Sequence, residues 1–477
     1  MTTHGFDPDF RQLKHYADTL EASASPPPSY TMQLCINPTL KLFNLEWKHL
    51  WAKLINTLAL EPEKGKEQVL VWQVPGSGRV KAKAVSDQDL LVMKMALEGL
   101  TSEQVARHGG TYIPAVDNAV VRALNSGLIT GPPSGITRPF DNQSDGGDPV
   151  DHNPRVFTLQ WHLTQACDLS CRHCYDRDPS DTLSLEQGLG VLRDFAGFCC
   201  KHGVYGQVTF TGGNPLLHPD FLKFYQAAAD HGFTTSILGN PGGKAQLEQI
   251  LAIQPPGFFQ VSLEGLKTHN DFIRGAGHFD RALGFLDTLG DMGIYRMVML
   301  TMTRDNMDQV IPLARLLKGR ADTFSFNRLS PVGSGAALAP VSKDRYPGFL
   351  EQYLVQTIEN PHMSLKENMF NILLDRDKRE LAGGCTGYGC GAAFNFVSVL
   401  ANGDVHACRK FPSYIGSLLE QRLEQIFQSD QSRQYRSGPR DCSGCRLRTK
   451  CRGCMAATYG AGLDIFMHKD PWCFYAD

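Results

Sequence analysis

Three cysteines set directly behind an apolar stretch constrain this chain more than any other feature. Thr158 to Tyr175 reads TLQWHLTQACDLSCRHCY, with three and then two residues separating Cys167, Cys171 and Cys174. Thiolates are soft ligands that suit zinc or iron–sulfur centres, and a structural zinc site wants a fourth ligand close by. Three close thiolates instead leave one corner of a four-iron cluster open to a substrate or cofactor. The plain alternative is a loop of buried or zinc-binding cysteines. The run Val156 to Leu163, bounded by Pro154, reads as a buried parallel strand, so the cysteines stand at a strand end.

Clusters of strand and helix signals alternate from there. Ser184-x-x-Gln187 opens a helix with Leu189, Leu192, Phe195 and Cys199 on one face, and Gln207 to Thr211 follows as a strand. Further strands are predicted at Thr234 to Leu238, Phe258 to Leu263, Arg296 to Met302 and Thr323 to Asn327. Six strand–helix units in series predict an α/β fold with a parallel sheet, whose functional residues gather at the carboxyl ends of its strands. Cys199 with Cys200, and Met297, Met299 and Met302, are read as core packing, and Cys35 has no assigned role.

At 477 residues the chain has room for roughly three domains. A formal net charge of −2 with interspersed signs argues against a nucleic-acid or membrane-surface binder. The polar start, MTTHGFDPDFRQ, is no signal peptide, and no stretch reaches the roughly 18 apolar residues of a membrane span. A cytoplasmic protein is expected. Its fourteen cysteines then read as metal ligands or catalytic thiols before disulfides.

Residues 1–64 are read as a tail, ending its first part in SASPPPS, followed by a helix from Asn44 on the face Trp47, Leu50, Trp51, Leu54, Ile55 and Leu58. Residues 65–130 form a small domain. Gln68 to Val74, a Pro75-Gly76-Ser77-Gly78 turn and Val80 to Lys83 predict a β-hairpin, and three capped helices follow. Ser86 caps the first, Thr101-x-x-Gln104 opens the second and Gly109-Gly110 ends it, and the third runs from near Pro114 to Asn125-Ser126-Gly127. A hairpin with three short helices is winged-helix-like. Between His108 and Thr137 the only Lys or Arg is Arg122, too little to neutralise several phosphates, so DNA is not its expected partner. Residues 131–154, rich in turn formers and polar residues, are read as a linker.

Eight more cysteines crowd residues 336–477: Cys385, Cys390, Cys408, Cys442, Cys445, Cys451, Cys454 and Cys473. Cys442-x2-Cys445 with Cys451-x2-Cys454 would make a four-cysteine zinc site, leaving the other four unexplained.

The Cys167, Cys171, Cys174 pattern resembles the signature of the radical S-adenosylmethionine (SAM) enzymes. In them the open iron chelates SAM, and an electron from the cluster cleaves SAM to a 5′-deoxyadenosyl radical. The resemblance implies a partial (β/α)6 barrel over residues 155–335. It also implies SAM contacts at matching loops. Thr211-Gly212-Gly213-Asn214-Pro215 is similar to a Gly-Gly-Glu-Pro motif with Asn214 replacing Glu, and Leu238-Gly239-Asn240-Pro241 departs from a Thr-Asn-Gly-like turn. Ser262 and Glu264 match the ribose-binding segment after the fourth strand, and Arg274 matches a carboxylate-binding or ion-pairing position.

The C-terminal cysteines, with Gly403 between Cys390 and Cys408, resemble the SPASM extension of these enzymes, except that two residues, not three, separate Cys451 and Cys454. The resemblance implies one auxiliary [4Fe-4S] cluster on Cys385, Cys390, Cys408 and Cys454, and a second on Cys442, Cys445, Cys451 and Cys473. With the SAM cluster that makes three, fed by a reductant such as flavodoxin or ferredoxin.

The winged-helix-like segment is similar to the recognition element of ribosomal-peptide-modifying enzymes, in which a precursor's leader adds a strand to the hairpin edge. The implied activity is hydrogen abstraction from a ribosomally made peptide, ending in a thioether crosslink. Phrases such as NRLSPVG resemble the maturases of thio(seleno)oxazole or selenobiotic peptides. The alternatives are sulfatase maturation, cofactor or haem-side-chain maturation, and a non-enzymatic metal scaffold. Sulfatase-maturing enzymes place an acidic base after the cysteine that Cys408 matches, whereas Arg409 and Lys410 follow it here.

Overall fold

A computed structural model describes residues 6–23, 33–55, 61–138, 153–175 and 181–475. Residues 24–29 of the SASPPPS segment, Leu58 and residues 139–152 of the expected linker lie outside the described residues. The chain divides into two compact units, Met1–Gly135 with Asp148–Arg155, and Ile136–Gly147 with Val156–Asp477. Among the described residues no helix is long and apolar enough to cross a membrane.

The first unit begins with a helix where a tail was expected. Helix α1 (Asp7–Ala22) has a proline in its first turn and buries Leu13, Ala17 and Leu20, spaced for one face. After β1 (Cys35–Ile36), residues 41–48 form strand β2 (Lys41–Lys48), not the first turn of the expected helix. Phe43 and Leu45 alternate inward with period two, and helix is confined to α2 (Leu50–Leu54). Strand β3 (Glu63–Gln73) and β4 (Val80–Ala84) make the expected hairpin, with β3 reaching further back than Gln68, and the sheet order is β2-β3-β4, antiparallel. Phe43, Leu45, Val69 and Val71 close on α1 in one apolar cluster.

Three helices follow as the caps predict: α3 (Asp87–Glu98), α4 (Ser102–Gly109) and α5 (Ile113–Ser126). Ser86 and Thr101 each form a reciprocal capping box, and Gly99, Gly110 and Gly127 stop the helices in the left-handed region. Strand β5 (Ile129–Thr130) pairs back to β1.

In the second unit every predicted strand forms: β6 (Val156–Thr164), β7 (Tyr205–Gly212), β8 (Thr234–Leu238), β9 (Phe259–Ser262), β10 (Arg296–Met302) and β11 (Thr323–Arg328). All pair in parallel and in sequence order. Helices α6 (Leu185–His202), α7 (Phe221–Asp230), α8 (Lys244–Ile253), α9 (Lys267–Arg274), α10 (His278–Asp291) and α11 (Val310–Leu316) supply the crossovers. The strands are rich in apolar residues that bury well, and Leu159, Trp161, Val208, Phe210, Val261, Leu300 and Phe326 are all buried. Cys199 packs in this core as expected.

The C-terminal residues extend the same sheet. Strand β12 (Phe396–Val399) lies parallel to β6 on the side away from β7, and β13 (Asp404–His406) and β14 (Tyr414–Ser417) add antiparallel, giving nine strands in the order β11-β10-β9-β8-β7-β6-β12-β13-β14. The strand that carries the cysteine loop therefore sits inside the sheet.

Candidate active site and metal centres

The carboxyl ends of β6 to β11 surround a cavity of about 390 Å³. Cys167, Cys171 and Cys174 line it together with Gly212, Gly213, Ser262 and Arg274. Of the residues the sequence nominated for SAM, Asn214 and Glu264 do not line it; both are buried behind the wall.

The loop after β7 is spliced into the cysteine loop through its backbone. Gly213 N–H donates to the Thr164 carbonyl and Asn214 N–H to the Ala166 carbonyl, each at 2.7 Å. A Cβ on Gly213 would stand 2.3 Å from the Ala166 oxygen, so only glycine permits this approach. Ser334 N–H donates to the Cys174 carbonyl at 2.9 Å, bringing the segment after β11 against the last cysteine.

Glu264 organises the opposite wall. Its carboxylate accepts from Arg274 Nε at 2.9 Å and Nη2 at 2.6 Å, and from Thr301 N–H at 2.7 Å, and lies 3.2 Å from His173 Nε2. Despite burial, His173 and Arg274 beside it hold its carboxyl far below the usual carboxylate range. Arg274 Nη1 in turn lies 3.8 Å from Cys171 Sγ. Burial pushes the Cys171 thiol up, with Arg274 opposing. Glu264 thus faces protein groups, and Arg274 is its ion-pair partner.

The cavity also holds residues that the sequence reading did not nominate as SAM or cluster ligands. Met299, taken for core, lines it and accepts from Asn327 Nδ2 at 3.2 Å, whereas Met302 is buried as expected. Asn240, Thr301, Arg328, Arg409 and Lys410 also line it. Arg409 Nη1 donates to Thr211 Oγ1 at 3.2 Å. Among the described residues no Asp or Glu lines this space. Position alone could have nominated these groups, since all stand at or just past strand ends.

The eight C-terminal cysteines divide between two smaller cavities. Cys385, Cys390, Cys408 and Cys454 line one, and Cys442, Cys445, Cys451 and Cys473 line the other. Cross-links between distant segments hold both sets. Asn368 Oδ1 accepts from Cys385 N–H at 2.8 Å, Cys390 N–H donates to the Cys451 carbonyl at 3.0 Å, and Asp470 Oδ2 accepts from Cys454 N–H at 2.8 Å. Burial raises the thiols of Cys408 and Cys442 to about 12 and of Cys454 to about 11. A metal must displace those protons to bind. Among the described residues no three His, Cys, Asp or Glu side chains converge tightly enough for a single metal ion. Soft thiols around a void are ligands of the kind that iron–sulfur clusters take. His173, on the main cavity's wall, has a buried Nδ1 with no hydrogen-bond partner among the described residues.

Residues 161–317 match the radical SAM superfamily, and residues 390–455 match the SPASM iron-sulfur cluster-binding domain. An AdoMet-dependent heme synthase of Methanosarcina barkeri is 25% identical over 350 residues, covering 68% of this chain and 97% of that protein. The mycofactocin maturase MftC of Mycobacterium ulcerans is 27% identical over 340 residues, 66% of this chain and 87% of its own. In fold, the chain is similar to Streptococcus suis SuiB bound to its precursor peptide SuiA, with a TM-score of 0.55, 16% identity, and coverage of 86% of this chain and 96% of that one.

Proposed function

Because this chain is a radical SAM enzyme that carries a SPASM domain, we propose that it modifies a ribosomally made precursor peptide. The observation that carries the reading is the set of three thiols at the carboxyl end of β6, opening on a cavity walled by six parallel strands. Cys167, Cys171 and Cys174 would hold the cluster, which with bound SAM supplies a primary carbon radical able to take a hydrogen atom from the peptide. Glu264 keeps Arg274 and His173 in place from behind the wall. Ser262 and Asn327 offer hydrogen-bonding groups inside the cavity, and Arg409 and Lys410 make its remaining wall cationic.

The two rear sets of four cysteines would hold auxiliary clusters that carry an electron away from the substrate, with no iron left open for a substrate thiol. This makes three clusters in all, served by a small reductant protein. The first unit is read as a winged-helix-like leader-binding domain: β2 and β4 are the edges of its sheet, and an added peptide strand would take its backbone hydrogen bonds from such an edge. The likeness to a mycofactocin maturase, and the fold shared with a protein bound to its precursor peptide, support this reading. A thioether from a peptide Cys or selenocysteine, as in thio(seleno)oxazole-type maturation, is the expected product.

Reduced, anaerobic protein incubated with SAM should release 5′-deoxyadenosine; none formed would defeat the enzyme reading. A Cys-rich peptide encoded beside the gene should then lose one pair of hydrogens per crosslink by mass. Unchanged mass with isotope exchange from solvent would mean epimerisation, and turnover of a porphyrin instead would mean cofactor maturation.

A further inference from the structure

Two Asn-Pro dipeptides, Asn214-Pro215 and Asn240-Pro241, follow β7 and β8, where the sequence departs from the motifs it otherwise resembles. The structure brings both onto one residue of the cysteine loop. Asn214 Nδ2 donates to Asp168 Oδ1 at 3.0 Å, and Asn240 Nδ2 donates to the same oxygen at 2.7 Å. Asn240 Nδ2 also lies 3.4 Å from Cys167 Sγ. A residue before proline is held extended, as Asn214 is at φ −131° and ψ 111°, which restricts how the side chain leaves the loop.

We propose that Asn214 and Asn240 form an amide clamp on Asp168 that positions Cys167 and raises the electron affinity of the cluster it ligates. The amide of Asn240 carries two N–H groups, enough for the carboxylate and the sulfur together. Asp168 decides which end of that amide faces the thiolate. Flipped, its carbonyl would oppose a carboxylate and a thiolate at once, so the donor end is locked toward sulfur. Hydrogen bonds to cluster sulfurs favour the reduced, more negative form and raise its potential. Asn240 itself is 7% exposed, whereas Asp168 and Cys167 are exposed, so the amide holds its donor in place beside groups that water would otherwise solvate without fixed direction. The two departures are thus one device, built from three side chains on three loops. Asn214 acts only through Asp168, its own Oδ1 being occupied by Leu216 N–H at 3.3 Å. Both asparagines are positioning residues.

The inference rests on the cluster assignment to Cys167, Cys171 and Cys174, and the test separates the two. In anaerobically reconstituted full-length protein, the EPR signal that changes on adding SAM isolates this cluster from the others. Asn240→Ala should lower the reduced-to-oxidised ratio of that signal about tenfold at a fixed poise, about 59 mV for a one-electron couple, with the SAM-insensitive signals unmoved. Asn214→Ala, which loosens Asp168 but touches no sulfur, should shift it the same way by less. An unaltered potential in Asn240→Ala, or equal shifts in the two variants, would overturn the clamp. Should Asn240→Ala lose iron from every site, Asn240→Asp, the same shape without the donor, carries the same expectation and the same refutation. Wild-type protein with no SAM-responsive signal would defeat the cluster assignment itself.

Discussion

Arg328 Nη2 meets Asp470 Oδ2 at 2.6 Å, across 142 residues of sequence, with both side chains sealed from solvent. Glu367 completes the network through Arg328 Nε at 3.1 Å. Asp470 also accepts from Cys454 N–H and Trp472 N–H, so one carboxylate joins the last barrel strand to segments that line both rear cavities. Asp470→Ala leaves part of a buried guanidinium unpaired, and should cost about 3 to 5 kcal/mol of stability. The thermal midpoint should fall and the iron content should fall with it. A wild-type midpoint would mean that the network contributes nothing.

Glu264→Gln should separate affinity from assembly. The carboxylate pairs with the buried Arg274 and lies 3.2 Å from His173 Nε2, and the amide cannot neutralise the guanidinium. SAM affinity should fall about tenfold to a hundredfold, as for groups that orient a metal site from behind, with cofactor binding measured by calorimetry on the reconstituted protein. Loss of iron at the Cys385 and Cys442 sets would instead mark a folding defect. Those cysteines lie elsewhere in the fold.

Asp117 gives the first unit a pH dependence. Burial raises its carboxyl to about 6, with a hydrogen bond from Ser102 opposing. The unfolded value is near 3.9, so the folded state binds the proton more tightly, and stability falls as pH rises from about 4 to about 6 and stays low above that. Asp117→Asn should therefore stabilise the protein by about 1 to 3 kcal/mol at neutral pH and by nothing near pH 4. Thermal melts at the two pH values decide it; an equal gain at both would remove burial of the charge as the cause.

The parallel strands were legible because buried strands concentrate apolar residues between turn formers, as Val156 to Leu163 does with Phe157, Leu159, Trp161 and Leu163, all buried, after Pro154. Helix starts were legible for a similarly local reason: Ser86, Thr101 and Ser184 meet their partners three residues on. Misreadings came where local signals competed. Phe43, Leu45 and Trp47 alternate with period two, but Trp47, Leu50, Trp51 and Leu54 overlap them with helical spacing, and the sheet decides the boundary. Helix α1 is polar enough to pass for a tail until β3 covers Leu13 and Leu20. In the site, the thiols and glycines announced themselves by spacing. The partners of Asn214 and Asn240 did not, because each lies far along the chain on another loop.

The position of β12 beside β6 has a consequence for how such a chain can be divided. A fragment ending after β11 would leave β6 with a bare row of amides and carbonyls along one side, an invitation to pair with other chains. The C-terminal residues shield that row from within the same polypeptide. A fragment that ends after β11 should therefore scatter light as aggregate where the full chain does not, and the cysteine-rich part serves the parallel sheet as an edge cover as well as a ligand carrier.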